Sequence, residues 1–166
     1  MRSQQRLFYR YFEHQTTAKV DWIGTRPARK QAMQTHQTIQ AIADYGLEGD
    51  HRCTKKAGSG RQVTFISAEH IELIAKQCNT DSIDPALPRR NIVISGSNIN
   101  ILRHQHFRIG TAEFITGALC HPCSRMDEVL GPGGAGKMYG YGGLCAKIVK
   151  SGTFSVDDPL IILAPE

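Results

Sequence analysis

The sequence lacks a long apolar run. The longest runs, such as residues 160–164, fall far short of the stretch that spans a bilayer, which takes about 20 residues. No apolar segment follows the basic first ten residues either, so we expect neither a transmembrane helix nor a secretory signal. Internal repeats are also missing. These absences exclude membrane and repeat proteins, and we expect a cytoplasmic protein with no membrane partner.

The chain has little charge imbalance. Its 20 Lys and Arg residues against 15 Asp and Glu residues give a net charge of +5. This excess is weak evidence for an anionic ligand, because an ordinary solvated surface explains it more simply, and no nucleic-acid partner is expected. The 166 residues fit one domain that buries roughly 70% of its unfolded surface. We place this domain at residues 18–164, after an N-terminal extension over residues 1–17 that could form one edge strand. The sequence leaves the oligomeric state open.

The chain has an odd number of cysteines, five in all. The chain has Cys53, Cys78, Cys120, Cys123 and Cys145 at irregular spacing. A chain of this length folds without disulfide bonds, so reduced thiols are expected, with chemistry possible at one of them. Cys78 and Cys145 each lie in an apolar pattern, which predicts buried structural cysteines.

Short β-type segments dominate the rest of the chain. Runs of β-branched and aromatic residues between turn residues predict strands at residues 20–24, 39–43, 62–66, 91–95, 107–115, 144–149 and 160–163. Residues 150–154 read as a hairpin turn between the last strands. We therefore predict a mainly β, α+β domain of the β-barrel type with a few short helices.

Two segments have helical signals. In "SAEHIELIAKQC", Ser67 can cap a helix whose apolar residues repeat with helical spacing. In "PCSRMDEVLGP", Pro122 suits a first helical position, and Gly131 with Pro132 ends the helix. This second helix would place Cys123 at its N-terminus.

The stretch "GPGGAGKMYGYGG", residues 131–143, comes close to two nucleotide-binding loops. Both loops need a strand before them and a helix after them, whereas here a helix precedes and a strand follows. Met138 also replaces the hydroxyl that would hold magnesium. We therefore interpret residues 131–143 as a flexible loop, a mobile flap beside Cys123 from which Lys137 could meet an anionic cofactor.

The segment "LCHPCSRM", residues 119–126, precedes the glycine stretch. A thiol at a helix start meets free backbone N–H groups, and Arg125 adds positive charge, so Cys123 is the best candidate for a nucleophile or a soft-metal ligand.

Three kinds of chemistry fit this segment. The Cys120–Cys123 pair could be a thioredoxin-like dithiol, although no βαβ framework is evident. Zinc is a second option, as a deaminase site with His70 and Glu72 or as a structural site with His51 and Cys53, but a second Cys-x-x-Cys is missing. The third option is a single thiol, in which Cys123 carries sulfur as a persulfide or ligates molybdenum.

Residues 18–163 resemble the MOSC family, the domain named for the C-terminal part of molybdenum cofactor sulfurases. Each matching stretch is weak alone, but their order and spacing are specific. They are "VDWIGTRPAR" (20–29), "GLEGDH" (46–51), "RQVTFISAEHIE" (61–72), "LPRRNIVISG" (87–96), "FRIGTAEF" (107–114), "HPCSRMDEVLGPGG" (121–134) and "GYGGLCAKIVKSGTF" (140–154).

The resemblance implies a β-barrel-like fold and a role for Cys123, which matches the cysteine of the family's PCxR segment. It also implies that the molybdenum cofactor is held by Arg89, Arg90 and Asn91, with His51 and Arg125 near the same cavity. Larger relatives have a second cysteine where this chain has Met126, so Cys120 is our candidate for a resolving thiol.

Two modes of action follow from the resemblance. In one, the domain binds the cofactor or carries sulfur for it or another metal–sulfur centre. A separate sulfur donor, such as a cysteine desulfurase, would then supply the sulfur, because nothing here resembles a pyridoxal phosphate site. In the other mode, the domain reduces N-hydroxylated compounds with electrons from a redox partner.

Overall fold

The computed structural model describes residues 2–12 and 18–164. Its strands are β1 (Lys19–Thr25), β2 (Gln34–His36), β3 (Thr38–Ile42), β4 (Gly46–Leu47), β5 (Val63–Ser67), β6 (Ile92–Ser95), β7 (His106–Ile109), β8 (Ala112–Leu119), β9 (Leu144–Lys150), β10 (Gly152–Ser155) and β11 (Leu160–Ile162). The α-helices are α1 (Arg2–Tyr9), α2 (Ala68–Gln77), α3 (Arg125–Leu130) and α4 (Gly134–Met138), and 3-10 turns occupy Arg10–Phe12, His51–Thr54 and Ile99–Leu102. The predicted α+β fold with mainly β structure is confirmed.

Every region predicted as a strand contains strand structure, but one strand prediction and one turn prediction need correction. The single strand predicted over residues 107–115 is a hairpin of β7 and β8, which turns at Gly110 with a φ of 55°. The predicted hairpin turn at residues 150–154 is wrong, because Gly152–Ser155 is itself a strand and pairs with β3 rather than with β9. The sequence analysis also missed the short strands β2 and β4.

The strands form one large sheet and one small one. The large sheet has the order β11-β7-β8-β9-β5-β6-β1-β2, and the small one the order β10-β3-β4. Although β1 and β11 are far apart in this order, Lys19 meets Pro159 in a single β-bridge, so the large sheet curls back on itself. The expected barrel is therefore not closed, because one bridge replaces the ladder of hydrogen bonds that closure needs.

Each face of the large sheet has its own apolar cluster. On one face, four phenylalanines pack edge to face or stacked, with Phe65 and Phe107 centroids 5.5 Å apart. On the other face, α2 packs Ile71 and Ile74 against Ile66. The predicted cap of α2 is confirmed, because the Ser67 side chain accepts a hydrogen bond of 3.0 Å from the His70 backbone N–H.

The helix after Cys123 begins later than predicted. It runs from Arg125 to Leu130, with Ser124 at the N-cap, so Pro122 is not its first residue and Cys123 lies before the cap. The glycine stretch is not one flexible loop either, because it contains α4, in which Gly134 and Met138 are buried. A Cβ atom at Gly134 would collide with the Met126 carbonyl oxygen. Glycine therefore serves close packing of α4 on α3, which residue propensity does not predict.

The N-terminal segment is helical where it is described. Residues 2–9 form α1, so the expectation of an edge strand is wrong there, and residues 13–17 lie outside the described part. Gln105 attaches α1 to the domain, because its side-chain amide donates a hydrogen bond of 3.0 Å to the Gln5 carbonyl. None of the described helices is long and apolar enough to cross a bilayer.

Candidate functional site

A cavity of about 130 Å³ lies beside α3, and we call it the arginine cavity. It is formed by residues far apart in the sequence that the ends of β1, β5, β6 and β8 and the start of α3 bring together. Its lining residues are Arg26, Arg52, Arg61, Thr64, Arg89, Arg90, Cys120, His121, Cys123, Arg125 and Met126.

Positive charge dominates the arginine cavity. Six of the twelve arginines in the chain line it, and the lining includes no Asp or Glu. Guanidinium groups present fixed pairs of N–H donors that match carboxylate and phosphate oxygens. The cavity therefore suits an anion, which the modest net charge of the whole chain hardly indicates.

Arg90 carries the most deeply buried of these charges. Its Nε donates to the Gly142 carbonyl at 2.6 Å, and its two terminal nitrogens donate to the carbonyls of Pro88 and Cys120, each at 3.0 Å. Burial lowers the pKa of Arg90 from its usual value, but arginine stays protonated in proteins. All three partners are neutral carbonyls, so they orient the charge of Arg90 without forming an ion pair with it.

A buried carboxylate behind the cavity positions two other arginines. Asp50, which is 2% exposed, accepts hydrogen bonds of 3.0 Å from the backbone N–H groups of Arg26 and Arg52. The Asn91 amide also donates to Asp50 at 3.0 Å, while its oxygen accepts from the Thr64 hydroxyl at 2.9 Å. We call Asp50, Asn91 and Thr64 the carboxylate node. The sequence analysis missed Asp50, although it stands in the "GLEGDH" stretch.

The predicted site residues fall into two groups. Those that line the arginine cavity are Arg89, Arg90, Cys120, Cys123 and Arg125. His51, Asn91 and Lys137 are not among its lining residues. His51 lies beside Asp50, with Nδ1 3.1 Å from a carboxylate oxygen, and burial lowers its pKa. Lys137 is on α4.

Cys123 is exposed and lines the arginine cavity. Because Ser124 separates it from α3, and because α3 has only six residues, the expected activation by a helix N-terminus does not apply in the form predicted. Its backbone carbonyl accepts a hydrogen bond of 2.9 Å from Met126, which is buried. This contact fixes the backbone of Cys123 while its thiol remains accessible.

Two further thiols lie close together beside the cavity, and one of them, Cys120, lines it. Cys145 is 1% exposed, and Arg61 Nε donates a hydrogen bond to its sulfur at 3.1 Å. The Cys120 thiol lies beside Cys145, and donation from Cys120 and from Arg61 lowers the pKa of Cys145 to about 6. The pKa of Cys120 is raised for the complementary reason, since it holds the shared proton.

Cys145 is therefore more than the structural cysteine that its apolar pattern indicates. The signal that could have located it is strand alternation in "LCAKIVK", which puts Cys145 on the face opposite to Leu144 and Ala146, the two core residues that flank it. Its partner Arg61 lies 84 residues earlier in the chain, so sequence spacing alone does not connect them.

The zinc alternatives are not assembled. Within residues 2–12 and 18–164, no group of three or more His, Cys, Asp or Glu side chains is placed to hold a metal ion. The Cys53 thiol instead donates to the Leu47 carbonyl at 2.8 Å, and His70 packs against Tyr141 with ring centroids 5.3 Å apart. Neither residue lines the arginine cavity.

Comparison with known proteins gives a consistent result. A family model described as the MOSC domain matches residues 52–160. The YuaD protein of Bacillus subtilis superimposes with a TM-score of 0.77 at 17% identity, over 92% of this chain and 98% of that one. YiiM of Escherichia coli gives a TM-score of 0.69 at 20% identity, over 91% and 71% of the two chains. YiiM of Geobacillus stearothermophilus gives 0.72 at 12% identity, over 89% and 75%. No curated protein sequence matches.

Proposed function

Because the chain belongs to the MOSC domain family, we propose that it binds the molybdenum cofactor in the arginine cavity. In this proposal Cys123 is the thiol that ligates the metal or carries sulfur for it. The observation that supports the proposal is the combination of six arginines, no lining carboxylate and an exposed thiol in one cavity.

The residues present fit an anionic cofactor. Within the part of the chain that the structure describes, the Nε atoms of Arg26 and Arg52 are buried without a hydrogen-bond partner, and Arg26 Nε is 4.0 Å from the nearest Asp50 oxygen. A buried donor without a partner is costly, typically by about 1–3 kcal/mol. An oxyanion such as the phosphate of the cofactor would accept hydrogen bonds from these atoms and balance the charge of Arg90.

The size of the cavity limits which part of the cofactor it holds. The volume of about 130 Å³ suits a phosphate-sized group rather than a whole pterin. A second cavity of about 380 Å³ adjoins it, because Arg89 and Arg125 line both, together with Ser124 in the second. We assign the anionic end of the cofactor to the arginine cavity and its bulk to the adjoining one.

The chain's own residues would bind and orient the cofactor. The arginines hold its negative charge, and Cys123 offers a soft sulfur ligand of the kind that suits such metals. A bound molybdenum centre would supply two-electron redox chemistry. The exposed Cys123 also remains accessible to a partner protein, which favours a sulfur-carrier role, with a desulfurase or other donor loading it.

Expression in a host that makes the molybdenum cofactor tests the proposal. We expect molybdenum and pterin to copurify with the wild type and with the control Cys78→Ser, whose thiol lies at the end of α2 outside the cavity. Cys123→Ser should lose most of the molybdenum while the arginines retain part of the pterin. Sulfane sulfur on Cys123 without molybdenum would support the carrier role, and a wild type with none of the three would overturn the proposal.

A second experiment tests whether binding depends on the arginines of the cavity or on the positive charge of the whole protein. Arg26→Gln with Arg52→Gln removes both unpartnered donors, so we expect at least a tenfold loss of copurified pterin. Arg108→Gln removes one positive charge from the exposed side of β7 and is the control. Activity toward N-hydroxylated compounds, measured with an artificial electron donor, would favour the reductase mode if Cys123→Ser abolishes it.

A further inference from the structure

Two buried thiols meet where β8 ends beside β9. The Cys120 backbone N–H donates to the Gly143 carbonyl at 2.8 Å, which places Cys120 next to the start of β9. Cys145 is the second residue of β9. Its sulfur accepts a hydrogen bond of 3.1 Å from Arg61 Nε and lies beside the Cys120 thiol. Both cysteines are less than 5% exposed.

We propose that Cys120 and Cys145 form a redox-active dithiol site, separate from Cys123, which a hydroperoxide oxidises to a disulfide. This assignment differs from the Cys120–Cys123 pair that the Cys-x-x-Cys spacing indicates. The thiol of Cys120 is engaged with Cys145, whereas Cys123 is exposed at the other end of the segment. The proposal does not depend on cofactor binding.

Charge and access suit this chemistry. Arg61 Nε contacts the Cys145 sulfur, and Arg90 Nη2 donates to the Cys120 carbonyl, so both thiols lie among guanidinium groups. Positive charge favours the thiolate, which is the form that reacts with peroxides. Cys120 lines the arginine cavity, and a hydroperoxide as small as hydrogen peroxide can enter a space of about 130 Å³.

The reaction balances with hydrogen peroxide as the oxidant. The shared proton passes from Cys120 to Cys145, and the Cys120 thiolate, which lines the arginine cavity, attacks one peroxide oxygen. The O–O bond breaks, and a sulfenic acid and hydroxide form. The proton that the two sulfurs shared neutralises the hydroxide to water. The second sulfur, now a thiolate, attacks the sulfenic acid and forms the S–S bond, and the released hydroxide takes a proton from solvent. Two electrons pass from the sulfurs to the peroxide, which leaves as two waters.

Peptide mapping distinguishes the competing disulfides. Trypsin leaves Cys120 and Cys123 together in the peptide of residues 109–125, and Cys145 in the peptide of residues 138–147. After treatment of the purified wild type with hydrogen peroxide, we expect these two peptides to be joined by a disulfide that dithiothreitol releases. A Cys120–Cys123 disulfide would instead stay within one peptide.

Three variants complete the experiment. Cys123→Ser and the control Cys78→Ser should still join the two peptides, whereas Cys145→Ser should not, and should slow oxidation of Cys120 by at least about tenfold. The mapping of the wild type keeps the test valid even if a variant is unstable. The proposal is overturned if the wild type gives only the Cys120–Cys123 disulfide, if Cys123→Ser abolishes the joined peptides, or if peroxide leaves both thiols reduced.

Discussion

The carboxylate node and the arginine cavity meet at the consecutive residues Arg90 and Asn91 and share Thr64, yet they differ in how their polar groups are satisfied. In the node, the Asn91 amide donates to Gly24 and Asp50 and accepts from Thr64. In the cavity, Arg90 finds only neutral carbonyl partners and no carboxylate balances its charge. Buried polar groups that are fully paired hold a fold together, whereas donors without balancing charge attract a ligand.

This difference explains why neighbouring residues have separate roles. Asn91 was predicted with Arg89 and Arg90 as one cofactor-binding group, yet its side chain is used within the protein and does not line the cavity. The node acts on the cavity indirectly, because Asp50 holds the backbone of Arg26 and Arg52 in place. Changes in the node should therefore affect stability first, and changes in the cavity should affect binding first.

The largest expected effect follows from Asp50→Ala. The substitution leaves the N–H groups of Arg26, Arg52 and Asn91 without their acceptor in a buried site. Each unmade hydrogen bond to a buried charge costs about 1–3 kcal/mol, so we expect the free energy of unfolding to fall by about 3–5 kcal/mol. Urea denaturation followed by circular dichroism measures it.

Asp84→Ala is the matched control for this prediction. Asp84 is exposed, and its carboxylate accepts one local hydrogen bond of 2.8 Å from the Ala86 backbone. Its loss should cost less than about 1 kcal/mol. Equal losses in the two variants would contradict the distinction between the node and an ordinary surface turn.

Local sequence patterns were sufficient for much of the fold. Runs of β-branched and aromatic residues between turn residues located β1, β5, β6 and β9, and the Ser67 cap with helical spacing located α2. They failed where packing overrides propensity. In α4, glycine allows the helix to approach α3 closely, and in β10 a strand pairs with the distant β3 instead of turning back on β9.

The candidate site was only partly predictable. A short motif identified Cys123 and Arg125 because both lie in one segment. Arg26, Arg61 and Cys145 belong to segments that only the curled sheet brings together, and no spacing connects them. Asp50 was missed for a related reason: its value as an acceptor depends on which N–H groups the fold directs at it.

The second largest expected effect on stability concerns the thiolate of Cys145, beside the arginine cavity. The pKa of Cys145 is lowered to about 6 by the Cys120 hydrogen bond and by Arg61, whereas an unfolded cysteine has a pKa of about 8.5. A lowered pKa adds stability that is complete above the unfolded pKa and is lost as pH falls toward 6. We expect the stability advantage of wild type over Cys145→Ser to grow by on the order of 1–3 kcal/mol between pH 6 and pH 8.5.

Denaturation curves of the two proteins at several pH values measure this difference. Cys78→Ser serves as the control for exchanging a thiol for a hydroxyl outside the cavity. If the difference in the free energy of unfolding between wild type and Cys145→Ser stays constant over this pH range, Cys145 does not form a stabilised thiolate in the folded protein.

The smallest effect on stability should come from Arg125→Gln, which changes the arginine cavity and leaves the carboxylate node intact. Arg125 lines both cavities and makes no side-chain hydrogen bond or ion pair among the described residues, so the free energy of unfolding without ligand should change by less than about 0.5 kcal/mol. The affinity of the Arg125→Gln variant for inorganic phosphate, measured from the phosphate-dependent rise in melting temperature, should be about tenfold lower than that of the wild type, or about 1.4 kcal/mol.

Arg108→Gln is the control, because it removes the same charge from the exposed side of β7. It should leave phosphate affinity within about twofold of the wild type, because salt screens distant surface charge. Equal losses of affinity in both variants would mean that phosphate responds to net charge alone. A loss confined to Arg125→Gln would mean that the unpaired arginines act as a ligand site.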